Sequence, residues 1–248
     1  NTGQLLAEDV FAADLDGDGD GDILSATSKN NTISWYENLG SDQYGPEQVI
    51  TTAANNPESI FATDLDGDGD ADLLSASSYD DEIAWYENLG GGSFGPQQIL
   101  TYTADNASCV YATDLDGDGD IDLVMANGDV MDTPMPKPFH GIRWLENLGK
   151  LQFKPHLLTR LMGASAVQIG DLDRDGDLDV VAAAFAPSTV QERQDNGYEG
   201  VIWLEQTKRG QFSVHRVEEG KADHPTLVLV EGEKNQPLDI VVGNFMIG

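Results

Sequence analysis

Short apolar runs recur along the chain in one register: Ile23-Leu24-Ser25-Ala26, Leu73-Leu74-Ser75-Ala76, Leu123-Val124-Met125-Ala126 and Val180-Val181-Ala182-Ala183. Each is continuous, brief and entered from an acidic turn, the pattern of a buried strand. Around the first run the sequence predicts four strands, over residues 10–15, 22–27, 32–37 and 47–51, separated by Gly, Asn and Asp turns. The third strand reads Ile33-Ser34-Trp35-Tyr36-Glu37, and its counterparts place Trp85, Trp144 and Trp203 in the same register. An indole repeated beside Ile or Val at a period of two predicts packing between neighbouring sheets in preference to a sugar-stacking surface. The fourth strand opens on Tyr44-Gly45-Pro46, Phe94-Gly95-Pro96, Phe153-Lys154-Pro155 and Phe212-Ser213-Val214.

The acidic turns begin at Asp14, Asp64, Asp114 and Asp171, so the period is 50 residues twice and then 57. A fixed period of this size marks a repeat architecture, and four short strands per repeat suggest the blade of a β-propeller. The expected fold is all-β: one propeller domain, or part of one, with repeats at about 10–51, 60–101, 110–159 and 166–217 and a partial fifth at 225–248. The fifth copy keeps two strand-like segments, 226–230 and 238–242. Gln236 stands in the loop between them where the others have the turn glycine, and Pro237 follows. An empty or weak site is expected there.

Each intact turn packs five carboxylates into nine residues, which would repel one another unless a cation sits among them. In the first copy Asp14, Asp16 and Asp18 fall at loop positions one, three and five, Gly19 at the sharp turn of position six, Asp20 at position seven through its main-chain carbonyl, and Asp22 at position nine. The same roles fall on Asp64, Asp66, Asp68, Asp70 and Asp72, on Asp114, Asp116, Asp118, Asp120 and Asp122, and on Asp171, Asp173, Asp175, Asp177 and Asp179. Dense hard oxygen donors favour Ca2+, one ion per intact loop, over Zn2+, which wants His or Cys, and over Mg2+, which keeps more water. An EF-hand is excluded, because position twelve is Ser25, Ser75, Met125 or Ala182 where that motif needs Glu.

Asp-x-Asp-x-Asp-Gly-x-x-Asp loops together with Phe-Gly-Pro segments and Trp-Tyr-Glu-Asn strands resemble the FG-GAP or VCBS repeats that build the integrin alpha-subunit propeller. The resemblance spans nearly the whole chain. It implies calcium in the loops between the first and second strands of each blade. Ring closure is expected to be incomplete over these residues, leaving open a five-bladed ring finished by other segments and a seven-bladed ring of the integrin kind.

A formal net charge of −31, which four calcium ions would bring to −23, disfavours nucleic acid as a partner. There is no apolar stretch of membrane-spanning length. The single cysteine, Cys109, cannot form an internal disulfide and reads as an inert buried thiol. Asn30 and Asn106 begin Asn-x-Ser/Thr sequons. Weak calcium modules, with dissociation constants of roughly 10^-4 to 10^-3 M, are filled outside the cell and empty in the cytosol, so an extracellular or cell-surface location is expected.

Recognition is expected at the end of the blades opposite the metal loops, where repeats three and four insert residues around 129–140, including Met131, Lys137 and Phe139, and 187–198, including Arg193. The expected role is a non-catalytic adhesion or binding module for a protein or glycan. Alternatives are a self-associating structural subunit of a surface assembly and a polysaccharide lyase. The lyase reading would draw on His140, His224, Tyr102, Arg160, Arg193 and Tyr198, whereas His156 and His215 match one another in outer strands, where surface placement is expected.

Overall fold

Apolar runs entered from acidic turns become antiparallel strands, and the chain is all-β with a single three-residue 3-10 turn, Ser28–Asn30, among its described elements. The computed structural model of the chain describes residues 7–128, 140–186, 198–219, 223–232 and 237–243. It divides into two units, Asn1–Val110 and Tyr111–Gly248.

The first unit holds two four-stranded antiparallel sheets. One is β1 (Ala7–Ala13), β2 (Asp22–Thr27), β3 (Thr32–Tyr36) and β4 (Gln48–Thr51), and the other is β5 (Pro57–Thr63), β6 (Asp72–Ser77), β7 (Glu82–Tyr86) and β8 (Gln98–Thr101), each in sequential order. A third sheet, β9 (Ala107–Thr113), β10 (Asp122–Asn127), β11 (Gly141–Asn147) and β12 (Phe153–Thr159), starts at the division. The second unit continues with β13 (Ala164–Gly170), β14 (Asp179–Ala184), β15 (Glu199–Lys208) and β16 (Gln211–Glu219), then a two-stranded sheet of β17 (Thr226–Val230) and β18 (Asp239–Gly243).

Register repeats with the sequence. The acid closing each loop opens the second strand and faces the last residue of the first, as in Ala13↔Asp22, Thr63↔Asp72 and Gly170↔Asp179. The tryptophans lie opposite Leu24, Leu74, Val124 and Val181. Strands β6, β10 and β14 are buried on both faces, which is why their sequences are continuous apolar runs instead of alternating ones.

Several boundaries differ from the pattern: the first strand starts earlier, at Ala7, the third ends at Tyr36 and the fourth starts at Gln48. The first strand ends at Ala13, before the predicted residue 15, because the Leu15 N–H leaves the ladder to bind the Asp22 carboxylate while its side chain turns into the core. The last strand starts at Asp239, one residue later than expected.

In the first unit Leu15, Leu24, Ile33, Trp35, Ile60, Leu73 and Tyr86 form one core shared by its two sheets. The Trp35 indole lies so close to Gly92 that an added Cβ would meet Cζ2 at 2.3 Å. In the second unit Trp144 packs on Gly210 and, edge to face, on Phe212. The predicted packing role therefore holds for Trp35, Trp85 and Trp144, all buried, while Trp203 is half-buried against the cluster around Leu227, Leu229 and Ile240. The insertions at 129–139 and 187–197, with Met131, Lys137, Phe139 and Arg193, and the loop residue Gln236 lie outside the described residues.

Candidate metal centre

The acid at position nine is the fixed point of each loop. Asp22, Asp72, Asp122 and Asp179 are almost wholly buried, and each carboxylate accepts two backbone N–H groups. One comes from the residue at position two: Leu15 at 2.9 Å, Leu65 at 3.1 Å, Leu115 at 3.2 Å and Leu172 at 3.0 Å. The other comes from just past the third strand or from its C-terminal end: Asn38 at 2.8 Å, Asn88 at 2.7 Å, Asn147 at 2.7 Å and Gln206 at 2.8 Å. Charge-assisted bonds of this kind each contribute about 1.5–3 kcal/mol net and fasten the loop to two strands at once.

The other carboxylates are aimed by the turn. At position one, Oδ2 of Asp14, Asp64, Asp114 and Asp171 accepts the N–H of Gly19, Gly69, Gly119 and Gly176 at 3.0, 3.0, 2.9 and 3.2 Å. Those four glycines have φ between 95° and 102°, a left-handed conformation that supplies the predicted sharp turn. At position five, Asp18, Asp68, Asp118 and Asp175 accept the N–H of the acid at position seven. Copy four has Arg174 at position four with φ 67°, where the other three copies have glycine.

These bonds gather carboxylate oxygens within 4.8 Å of one another in all four loops: Asp14, Asp16 and Asp18 in the first, then Asp64, Asp66 and Asp72, Asp114, Asp116 and Asp122, and Asp171, Asp173 and Asp179. The side chains of Asp20, Asp70, Asp120 and Asp177 stand outside these triads, as do those of Asp22, Asp68, Asp118 and Asp175. The donor set is all oxygen. Within the fourth triad Asp171 Oδ1 is closed off from solvent without a hydrogen-bond partner, so the residues fit a hard cation that would complete it. Burial pushes Asp72 and Asp122 up to about 6, against the lowering pull of the backbone N–H groups they accept, and moves Asp179 the same way. Each loop could hold a metal ion, whose charge would offset the cost of those buried carboxylates.

Sequence reasoning missed the side chains that seal the loops. Asn38 and Asn147 donate through Nδ2 to the carbonyls of Gly21 and Ile121 in their own loops. Asn88 donates to Ala71 O at 3.0 Å and also to Leu15 O of the preceding loop at 2.8 Å, and Gln206 likewise joins Leu178 O at 2.9 Å to Leu115 O at 3.0 Å. Their amide oxygens accept Gly40, Gly90, Gly149 and Gly210 N–H in the next turn. The available signal was Glu-Asn-Leu-Gly after the third strand, repeated in three copies.

Among the residues weighed for catalysis, Arg160 is exposed and Tyr198 half-buried in the second unit, and the Arg160 backbone passes beside Gly141, next to His140. His140 and His224 are buried in the second unit, His224 against Glu218 and Asp223. Tyr102 is exposed in the first unit. His156 stacks on Trp144 and is 2.7 Å from Glu146, so it is half-buried, and His215 stacks on Trp203 with more of its ring in solvent. A shallow depression of about 820 Å3 brings Arg160 beside His215, Arg216 and Glu199. Cys109 is half-buried, more open than expected.

Residues 14–75 and 64–125 each match the FG-GAP-like repeat, so the chain carries that repeat over its first two and a half copies. No curated protein matches the chain by sequence. A lectin of Agrocybe aegerita, solved for its specific recognition of non-reducing terminal N-acetylglucosamine, superposes with a TM-score of 0.55 at 19% identity. That match covers 84% of this chain and 51% of the lectin, so the chain spans about half the lectin's length. The V. cholerae biofilm matrix protein Bap1 superposes at 0.41 and 18% identity, over 84% of this chain and 38% of that protein. The likeness to the lectin is one of fold.

Proposed function

We propose that the chain is a calcium-stiffened β-propeller module, or part of one, that binds a protein or glycan outside the cell or at its surface without catalysing a reaction. The observation that carries this reading is the recurrence of a three-carboxylate oxygen cluster in each of four loops, at positions one, three and five in the first and one, three and nine in the others, with the position-nine acid held by the same backbone hydrogen bond in all four. The ligands proposed are the twenty loop aspartates, with Ca2+ favoured by the all-oxygen donor set. At free calcium about ten times the dissociation constant, each independent site adds about 1.4 kcal/mol to stability. Calorimetric titration of chelator-treated protein is expected to give four bound ions, and removing them is expected to lower stability by roughly 5 kcal/mol. A melting temperature indifferent to chelation sinks the reading.

A glycan is the favoured ligand class because the lectin of like fold recognises N-acetylglucosamine. The surface proposed for it is the end of the blades opposite the metal loops, where the copies differ in length. Glycan-array binding with and without calcium tests this. Release of unsaturated uronate from acidic polysaccharides would refute the non-catalytic role. Among the described residues no helix is long and apolar enough to cross a membrane. A second reading, self-association, draws on Val228 and Val241, which face one another across β17 and β18 and are both exposed. Concentration-dependent light scattering separates it from the first.

A further inference from the structure

The turn between β15 and β16 sets Arg209 over the third loop. Its Nη2 lies 3.2 Å from Asp116 Oδ1 and 3.2 Å from Asp118 Oδ2, the carboxylates at positions three and five. In the other loops the oxygen equivalent to Asp116 Oδ1 accepts the N–H of position five: Asp18 to Asp16 at 3.1 Å, Asp68 to Asp66 at 3.2 Å and Asp175 to Asp173 at 3.1 Å. In loop three that oxygen takes the guanidinium, and the Asp118 N–H goes to Asp114 Oδ1 at 2.9 Å. The Asp116 side chain is 5% exposed and that of Arg209 59%, so a protein-borne positive charge reaches inward from the rim onto a buried acid. The other copies offer no guanidinium here. Counting back from the aromatic that opens the fourth strand, the position of Arg209 is Ser41, Gly91 or Lys150.

We infer that Arg209 is a built-in counter-cation for loop three, steadying it without metal and making it a weaker calcium site than loop one. An ion entering the Asp114, Asp116 and Asp122 cluster must share two of the loop's carboxylates with a fixed positive charge. Repulsion between like charges at this range opposes that, less steeply because the guanidinium is largely solvated. A reduction in affinity of roughly fivefold is expected. The inference rests on the calcium reading above.

The test is a calcium titration of the whole chain, of Arg209→Gln and of Arg209→Lys, followed by amide NMR. Gly119, whose N–H binds Asp114 Oδ2, reports loop three, and Gly19, bonded to Asp14 Oδ2, reports loop one. Expected in the unsubstituted chain is a Gly119 midpoint at higher calcium than that of Gly19. Arg209→Gln brings the Gly119 midpoint down by roughly fivefold and leaves Gly19 unmoved, while Arg209→Lys keeps most of the gap. In chelator the Gln variant melts below the unsubstituted chain, and in saturating calcium that deficit disappears. Equal midpoints in the unsubstituted chain, or a Gly119 midpoint unmoved by Arg209→Gln, overturn the inference while leaving calcium binding intact. Failure of the unsubstituted chain to bind calcium at any loop overturns the calcium reading, and this inference falls with it.

Discussion

Loops one and three share eight of nine residues, differing only in Gly21 against Ile121, yet different turns close them. Loop one receives the Asn88 amide from a turn of three consecutive glycines, Gly90 to Gly92. Loop three receives the Gln206 amide from a turn that also carries Arg209. The carbonyl accepting that amide is equivalent in both, Leu15 O and Leu115 O, while the charge beside the carboxylates is not. The hydrogen bonds and charge around a loop are therefore set partly by the following repeat, so two copies of one motif sit in different surroundings.

The largest test of what the loops hold in common is Asp22→Ala beside Asp122→Ala. Each leaves two backbone N–H groups without a carboxylate, and each is expected to cost about 3 kcal/mol in denaturant unfolding. A tenfold difference between the two unfolding constants would break the equivalence. The closing turns come next. At Gly92 an added Cβ meets the Trp35 ring at 2.3 Å, whereas at Gly210 it meets Trp144 at 3.2 Å. Gly92→Ala should cost about 2–3 kcal/mol and Gly210→Ala about 1 kcal/mol, read from thermal melts.

A smaller effect of opposite sign is expected at Arg174, whose left-handed backbone Gly17 adopts without penalty in loop one. Arg174→Gly should raise stability by about 0.5–1 kcal/mol. The smallest concerns Asp9 in β1, which accepts the Ile60 N–H of β5 at 2.8 Å and whose pKa burial raises above the ordinary aspartate value. A raised folded pKa favours the protonated form. Its contribution is thus complete below pH about 4 and is lost as pH climbs through the folded value. Asp9→Asn should flatten that slope in the unfolding free energy measured between pH 4 and 7.

Much of this was legible because the repeat exposes what varies and what does not. The loop spacing fixed positions one, three, five and nine, and the apolar runs located β2, β6, β10 and β14 to within a residue. The tryptophan register gave the packing direction for Trp35, Trp85 and Trp144. Spacing alone could not reveal that Asp22 and its counterparts serve the backbone as much as any ion, since both roles ask for a carboxylate at the same place. Asn88 and Gln206 were overlooked for a related reason. An amide after a strand is ordinary turn chemistry until the carbonyl it reaches, 73 or 91 residues away, is in view. Arg209 occurs in one copy only, so periodicity gave it no weight.

The amide that Asn88 extends back to Leu15 O, and Gln206 to Leu115 O, gives the array a direction. Within each unit a repeat finishes the hairpin of its predecessor, so each four-stranded sheet is tied into the one before it like a course of brick. Loops one and three are thus completed only once the following repeat is in place, which makes the folding of neighbouring repeats interdependent.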